Sequence, residues 1–264
     1  MKTFLRWAGS KKQLLPILAG YWPYGFSRYI EPFAGSCCLF FHLEPPNAIL
    51  GDINAELIQT LRAIKRDPSR VIESLRRLKK TKANYYRVRA IDPTSLGLFE
   101  ASARFLFLNS LCFNGLYRTN RSGQFNVPYC PPGHSTVPEH LIIDAHRRLK
   151  SATIIQGDFE ATIATATEGD LVYLDPPYAT ARRRVFAEYG PKSFSPVDLV
   201  RLDQCLKRID QAGAKFVVSY ADSQETRERF SRWNLRRVRT KRNIAGFTGN
   251  RRGCYEVLAT NIES

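Results

Sequence analysis

Apolar and polar positions follow two periods along this chain, and the switches between them predict a succession of strands and helices. Residues 27–43 open with Arg28-Tyr29-Ile30, turn at 32–35 and continue as the apolar run 37–43, predicting strand, tight turn and helix. Ala48-Ile49-Leu50-Gly51-Asp52 predicts a second short strand ending in an acid, and Asn54 is placed to cap a helix over 55–65. From Asp67 to about Leu111 the spacing is helical, with Leu75, Leu78 and the Tyr85-Tyr86 pair on apolar faces. Asn114-Gly115 and Ser122-Gly123 are turn signals, and 124–129 predicts a hairpin arm. Residues 138–149 predict an amphipathic helix.

The strand pattern then resumes. Residues 153–158 and 170–175 each predict a strand ending in aspartate, followed by a helix over 198–212 and strands over 215–220 and 255–260. This alternation predicts an α/β fold whose mostly parallel sheet is covered on both faces. The helical stretch interrupts it. Residues 55–150 therefore read as an inserted module, with 1–54 and 151–264 forming the main domain.

Composition sets bounds on this picture. With 264 residues and 44% hydrophobic content the chain can bury a sizeable core. Its apolar runs are too short to span a bilayer, and Met1-Lys2-Thr3-Phe4-Leu5 does not begin a signal peptide. The expectation is a soluble intracellular protein with no membrane partner. Cys37, Cys38, Cys112, Cys130, Cys205 and Cys254 lack zinc-ligand or redox spacing, so free thiols and no metal are expected.

Charge adds a functional direction. The net charge of +16 is uneven: 55–150 carries 17 bases against 7 acids, and 180–264 carries 18 against 9. Between them, 151–179 has five acids and no base. Two basic blocks around an acidic one predict arms that hold a polyanion, nucleic acid first, about a differently tuned site.

Asp175-Pro176-Pro177-Tyr178 follows a strand expected to be buried, at whose carboxyl end ligands of open α/β sheets bind. An amino nitrogen conjugated to an aromatic ring has little lone-pair availability. A carboxylate and a fixed carbonyl, each accepting one N–H, draw it towards tetrahedral geometry and stabilise the positive charge that develops. Asp175 supplies the carboxylate, Pro176 the carbonyl, Pro177 rigidity and Tyr178 a face on which a base can stack. Glu31-Pro32-Phe33-Ala34-Gly35-Ser36 forms the first strand-to-helix turn, where Gly35 lets a ligand approach the backbone. Asp52 ends the second strand and Asp158 the third, at positions suited to a nucleoside cofactor's ribose and adenine.

Phe4-Leu5-Arg6-Trp7-Ala8-Gly9-Ser10-Lys11, the turn at 31–35, Asp52-Ile53-Asn54, Asn114-Gly115-Leu116, Phe125-Asn126-Val127-Pro128 and Asp175–Tyr178 occur in that order. In this arrangement the chain resembles the Dam-like group of N6-adenine DNA methyltransferases. Asp-Pro-Pro-Tyr alone also serves cytosine-N4 enzymes, and a catalytically silent DNA-reading subunit is the alternative from another class. The resemblance implies a Rossmann-like sheet that uses S-adenosylmethionine, with an inserted, mainly helical target-recognition module carrying a β-hairpin. It puts Trp7, Lys11, Glu31, Phe33, Gly35, Asp52, Asp158, Asp175 and Phe194 around the cofactor.

The resemblance also implies a DNA-contacting set. The hairpin around 113–129 brings Arg118, Asn120, Arg121, Gln124 and Asn126, and Arg6 lies near the first base of the site. Thr119 stands where relatives carry an aromatic. Arg239, Lys241, Arg251 and Arg252 would grip phosphates. The implied partner is double-stranded DNA, and the enzyme either has a separate restriction endonuclease as functional partner or acts alone. The protein would act as a monomer in the cytoplasm, on the nucleoid of a prokaryote or on phage DNA.

Overall fold

The computed structural model describes residues 3–120, 122–130, 137–178, 194–241 and 253–263. Seven strands form one sheet: β1 (Arg28–Glu31), β2 (Ala48–Asp52), β3 (Ala152–Gln156), β4 (Asp170–Leu174), β5 (Lys215–Ala221), β6 (Asn234–Lys241) and β7 (Gly253–Thr260). Their order is β3-β2-β1-β4-β5-β7-β6. The first five are parallel, and β7 runs antiparallel between β5 and β6.

Strand alternation assigns side chains to two faces. Tyr29, Leu171, Tyr173 and Val217 point to one core, while Ile30, Val172, Leu174, Phe216 and Val218 point to the other. The second core is closed by α8 (Phe159–Ile163) and by α9 (Pro196–Gln211), whose Leu199, Leu202, Leu206 and Ile209 recur at helical spacing. The first is closed by α1 (Leu15–Ala19), α2 (Cys38–Leu43) and the helices between β2 and β3.

Those helices are α3 (Ala55–Arg66), α4 (Pro68–Arg76), α5 (Lys82–Ala90), α6 (Leu98–Leu111) and α7 (Glu139–Leu149). Asn54 caps α3 by accepting from Leu57 N. The helical stretch after Asp67 divides into three because Pro68, the Thr81 cap and Pro93 with Gly97 each start a new segment. Twelve of the fourteen residues of α6 are buried, so it is the central helix of this layer. After it, residues 112–120 and 122–129 form the two arms of a hairpin, held by the bridges Cys112–Tyr129 and Thr119–Phe125.

Strand β6 was hidden in the basic run. Arg237 and Arg239 stand exposed on one face, while Val238 and Thr240 on the other turn inward and Arg236, ahead of them on that inner face, stays exposed. Charge on the outer face masks a period of two. A last helix, α10 (Gln224–Arg229), precedes it. Among the described residues no helix is long and apolar enough to cross a membrane, and no cluster of His, Cys, Asp and Glu could hold a metal.

Candidate active site

Strands β1 and β4 are neighbours, and the chain winds outward from them in opposite directions. Such a switch point leaves a crevice at the carboxyl ends of the strands. Glu31 ends β1 there, Asp52 ends β2, and Asp175–Tyr178 follow β4. The turn after β1 needs Gly35 twice over. Its φ is +46°, and a Cβ would sit 2.9 Å from Trp7 Cδ1.

Asp175 is the centre of a polar cluster. Its Oδ1 lies 2.7 Å from Lys11 Nζ and accepts the Ser219 hydroxyl at 3.1 Å. Ser219 also lies 3.2 Å from the Tyr173 hydroxyl. Asp175 Oδ2 and the Pro176 carbonyl accept no hydrogen bond among the described residues. Lys11 is only 7% exposed; it donates to the Tyr178 hydroxyl at 3.3 Å and stands 3.8 Å from Glu256. Burial disfavours its charge, but Asp175, Tyr178 and Glu256 outweigh burial and raise its pKa. Burial pushes the Asp175 carboxyl up from its ordinary range, while Lys11 and Ser219 hold it back. The Tyr178 ring packs edge-on against Tyr220 at 5.1 Å.

Around this cluster lie the other acids: Asp52 and Glu31 end their strands, whereas β3 stops at Gln156 and Asp158, expected to end it, starts the following helix instead. Asp52 accepts from Gly35 N at 3.0 Å through Oδ2 and from Asn54 N at 2.9 Å through Oδ1. Each oxygen keeps a lone pair for a further donor. Burial raises its pKa, and those backbone bonds oppose the rise. Burial also holds the Glu31 carboxyl well above the ordinary range, with the charges of Asp175 and Asp52 adding to it. Glu31 Oε2 is buried without a hydrogen-bond partner among the described residues. Asp158 caps α8 through Glu160 N at 3.0 Å and pairs with Arg201 Nη2 at 2.7 Å. Beside it Phe33 stacks on Phe159 at 5.1 Å, and Phe194 meets Phe33 edge-on at 6.0 Å.

The DNA-facing set is more dispersed. Arg118 folds back onto Asn126 Oδ1 at 2.8 Å, and Asn120 Nδ2 donates to Gln124 Oε1 at 3.0 Å. Thr119 is buried against the hairpin partner strand. Asn109 holds both the N–H and the carbonyl of Arg6, whose side chain fills the space over Gly115. Arg6 Nη1 is buried with no partner among the described residues. Arg239 is exposed on β6. Lys241 ends that strand, its side chain outside the described set, and Arg121, Arg251 and Arg252 also lie outside the described residues.

Three residues touch this site that motif reading missed. Ser219 sits in an apolar strand beside Asp175, because β5 pairs Val218 with Leu174. A serine inside Phe216-Val217-Val218-Ser219-Tyr220 was the available signal. Glu256 arrives from the other side of β5 by antiparallel pairing with Ala221. Arg201 gathers Asp158, Glu160 and Asp198 and lies over the Phe159 ring at 4.7 Å. Neither of these two carries a local signature.

Residues 7–244 match the D12 class N6 adenine-specific DNA methyltransferase family. The chain is 32% identical to Type II methyltransferase M1.LlaDCHI of Lactococcus lactis subsp. cremoris, over 99% of this chain and 95% of that protein. It is 32% identical to Type II methyltransferase M.MjaIII of Methanocaldococcus jannaschii, over 99% of both chains. DNA adenine methylase of Escherichia coli K12 is 29% identical, over 98% of this chain and 94% of the other. The chain belongs to the D12 class of N6-adenine-specific DNA methyltransferases. It is an enzyme, and it methylates adenine in DNA in a site-specific manner.

Proposed function

We propose that the methyl group comes from S-adenosylmethionine and goes to N6 of an adenine turned out of double-stranded DNA. The observation that carries this reading is the state of Asp175. One carboxylate oxygen is fixed by Lys11 and Ser219, while the other oxygen and the Pro176 carbonyl, at the carboxyl end of β4, accept no hydrogen bond among the described residues. Two acceptors fixed in this way suit the two hydrogens of an exocyclic amine. They draw its nitrogen towards tetrahedral geometry and offset the positive charge that grows there. An adenine inside a duplex has that amine engaged in pairing, so the base is extruded before it reaches Asp175. Tyr178 offers its ring to the extruded base.

The pocket fits such a donor. Asp52 has lone pairs left for ribose hydroxyls, and the Phe33–Phe159 pair offers an apolar face for an adenine ring. Glu31 Oε2, buried without a hydrogen-bond partner among the described residues, suits an amino group. Trp7, Gly35, Lys11, Asp158 and Phe194 complete the lining, with Asp158 held by Arg201. When bound, the donor supplies an electrophilic methyl on a sulfonium, so neither a metal nor a cysteine nucleophile is needed.

Residues 55–150 act in this reading as the target-recognition module, with the hairpin entering the DNA and the basic face of β6 holding phosphates. Relatives named Type II methyltransferases support a place beside a separate restriction endonuclease. The test is incubation of adenine-unmethylated duplex with S-adenosylmethionine labelled in its methyl group, followed by nucleoside digestion. Label should appear in N6-methyladenine. Label in N4-methylcytosine, or none from this donor, overturns the reading.

A further inference from the structure

We propose that Tyr117 is a positioning residue that couples cofactor binding to DNA binding, acting through Glu56. The inference rests on the proposed roles of the crevice and of the hairpin. Five contacts and the first turn of α3 close a ring between them. Gly35 N and Asn54 N hold the two oxygens of Asp52 at 3.0 and 2.9 Å. Asn54 in turn caps α3, and Glu56 lies in the first turn of that helix. Glu56 Oε1 accepts the Tyr117 hydroxyl at 2.9 Å. The Tyr117 ring stacks on Trp7 at 5.8 Å, with 23° between the planes. Trp7 packs against Gly35 closely enough to exclude a Cβ there, which returns the ring to its start.

Glu56 also reaches the second arm of the hairpin. Its Oε2 accepts Arg104 Nη1 at 2.8 Å, and Arg104, 3% exposed, donates to the terminal carbonyls of α5 at Val88 and Arg89. From α5, the Tyr85 hydroxyl and Arg89 Nη1 donate to Val127 O at 2.9 and 3.2 Å. One carboxylate, four residues after Asp52 and in the first turn of α3, thus steadies both arms: Tyr117 on the outgoing arm and Val127 on the returning one.

A ligand on Asp52 and Gly35 orders the start of α3, and with it Glu56. DNA on the hairpin orders Tyr117 from the other end. Whichever ligand binds second meets a strut already ordered and loses less conformational entropy, which is positive coupling. The coupling must be equal in both directions.

The probes are S-adenosylhomocysteine, which cannot react, and sheared genomic DNA from a strain without adenine methylation. Calorimetry gives the Kd of S-adenosylhomocysteine with and without saturating DNA. In the wild type, DNA should tighten it by a factor in the usual coupling range of about 5–150. Tyr117→Phe keeps the ring and removes only the hydroxyl. The coupling factor should fall about fivefold or more, with the Kd measured without DNA staying within about twofold. Glu56→Asp keeps a counter-charge for Arg104 but withdraws from Tyr117, and should lose coupling likewise. A purely structural role would lower thermal stability and leave the factor unchanged.

No coupling in the wild type, or wild-type coupling in both folded variants, overturns the proposal. Asp52→Asn separates it from the reading beneath. If Asp52→Asn leaves S-adenosylhomocysteine binding unchanged, the cofactor pocket is wrong and the strut falls with it. If Asp52→Asn weakens binding while Tyr117→Phe stays coupled, the strut alone is wrong.

Discussion

Replacing Ser219 by alanine isolates what holds Asp175 in place. Ser219 is completely buried, and its hydroxyl stands 3.1 Å from Asp175 Oδ1 and 3.2 Å from the Tyr173 hydroxyl. A hydrogen bond to a charged group contributes about 1.5–3 kcal/mol. If all of that were lost from the transition state, the methyl-transfer rate would fall about 10–150-fold. Lys11 stays at 2.7 Å and keeps Asp175 anchored, so a loss near the lower end, about tenfold, is expected. Affinity for DNA should not change, because Ser219 lies beneath the site.

The pH profile gives a second, independent reading. Only ionised Asp175 accepts the amine hydrogens, so the rate falls as pH drops through its pKa. Burial raises that pKa, which puts the acid limb above the ordinary carboxylate range. Ser219 stabilises the ionised form, so Ser219→Ala moves the acid limb to still higher pH. Tyr173→Phe is the control: it removes the other bond of Ser219 and should cost about 0.5–1.5 kcal/mol of stability with little change in rate. The assay is single-turnover methylation at saturating donor across pH. A folded Ser219→Ala enzyme with the parental rate and an unmoved acid limb would refute the reasoning.

Further outcomes follow from the same geometry. Asp175→Ala should lower single-turnover transfer by about 10²-fold or more with duplex binding within a few-fold; near-normal transfer would remove Asp175 from the chemistry. Asp52→Ala should weaken S-adenosylmethionine binding by about 1.5–3 kcal/mol in calorimetry, and unchanged affinity would make Asp52 only a link between two loops. Arg239→Ala should weaken all DNA sequences alike and flatten the salt dependence by about one unit; loss confined to one sequence would make it a base reader.

Most of the sheet was legible because each parallel strand is a short apolar run ending at a turn or an acid. Gly35, Asp52 and Asp175 could be placed for the same reason: strand ends in such a sheet converge on one crevice. The cluster around Asp175 was not legible. Ser219 and Glu256 reach it through the registers of β5 with β4 and β7, and register is a property of paired strands. Lys11 was assigned by resemblance alone. Only the fold shows why a lysine belongs there: it is buried against one carboxylate just after β4 and another on β7.

The hairpin shows a different limit. Composition marks Arg118, Asn120, Gln124 and Asn126 as donors and acceptors fit for base edges, but says nothing of what each already holds. In the fold Arg118 is spent on Asn126, and Asn120 on Gln124 and two backbone N–H groups. For these four to read bases, the internal bonds must exchange for bonds to DNA, and the net gain is then smaller than for a free donor. Arg118→Ala should therefore relax discrimination at one base pair by less than the about 1–3 kcal/mol of an unencumbered arginine. Asn126→Ala removes the side-chain acceptor of Arg118 Nε and leaves the bond from Nη2 to the backbone carbonyl, and should raise the affinity contributed by Arg118 while loosening sequence preference. Methylation of single-base variants of the recognised sequence measures both. If both variants keep the parental preferences, the arms of the hairpin are a scaffold. Base reading then belongs to Arg6, whose buried Nη1 has no protein partner among the described residues.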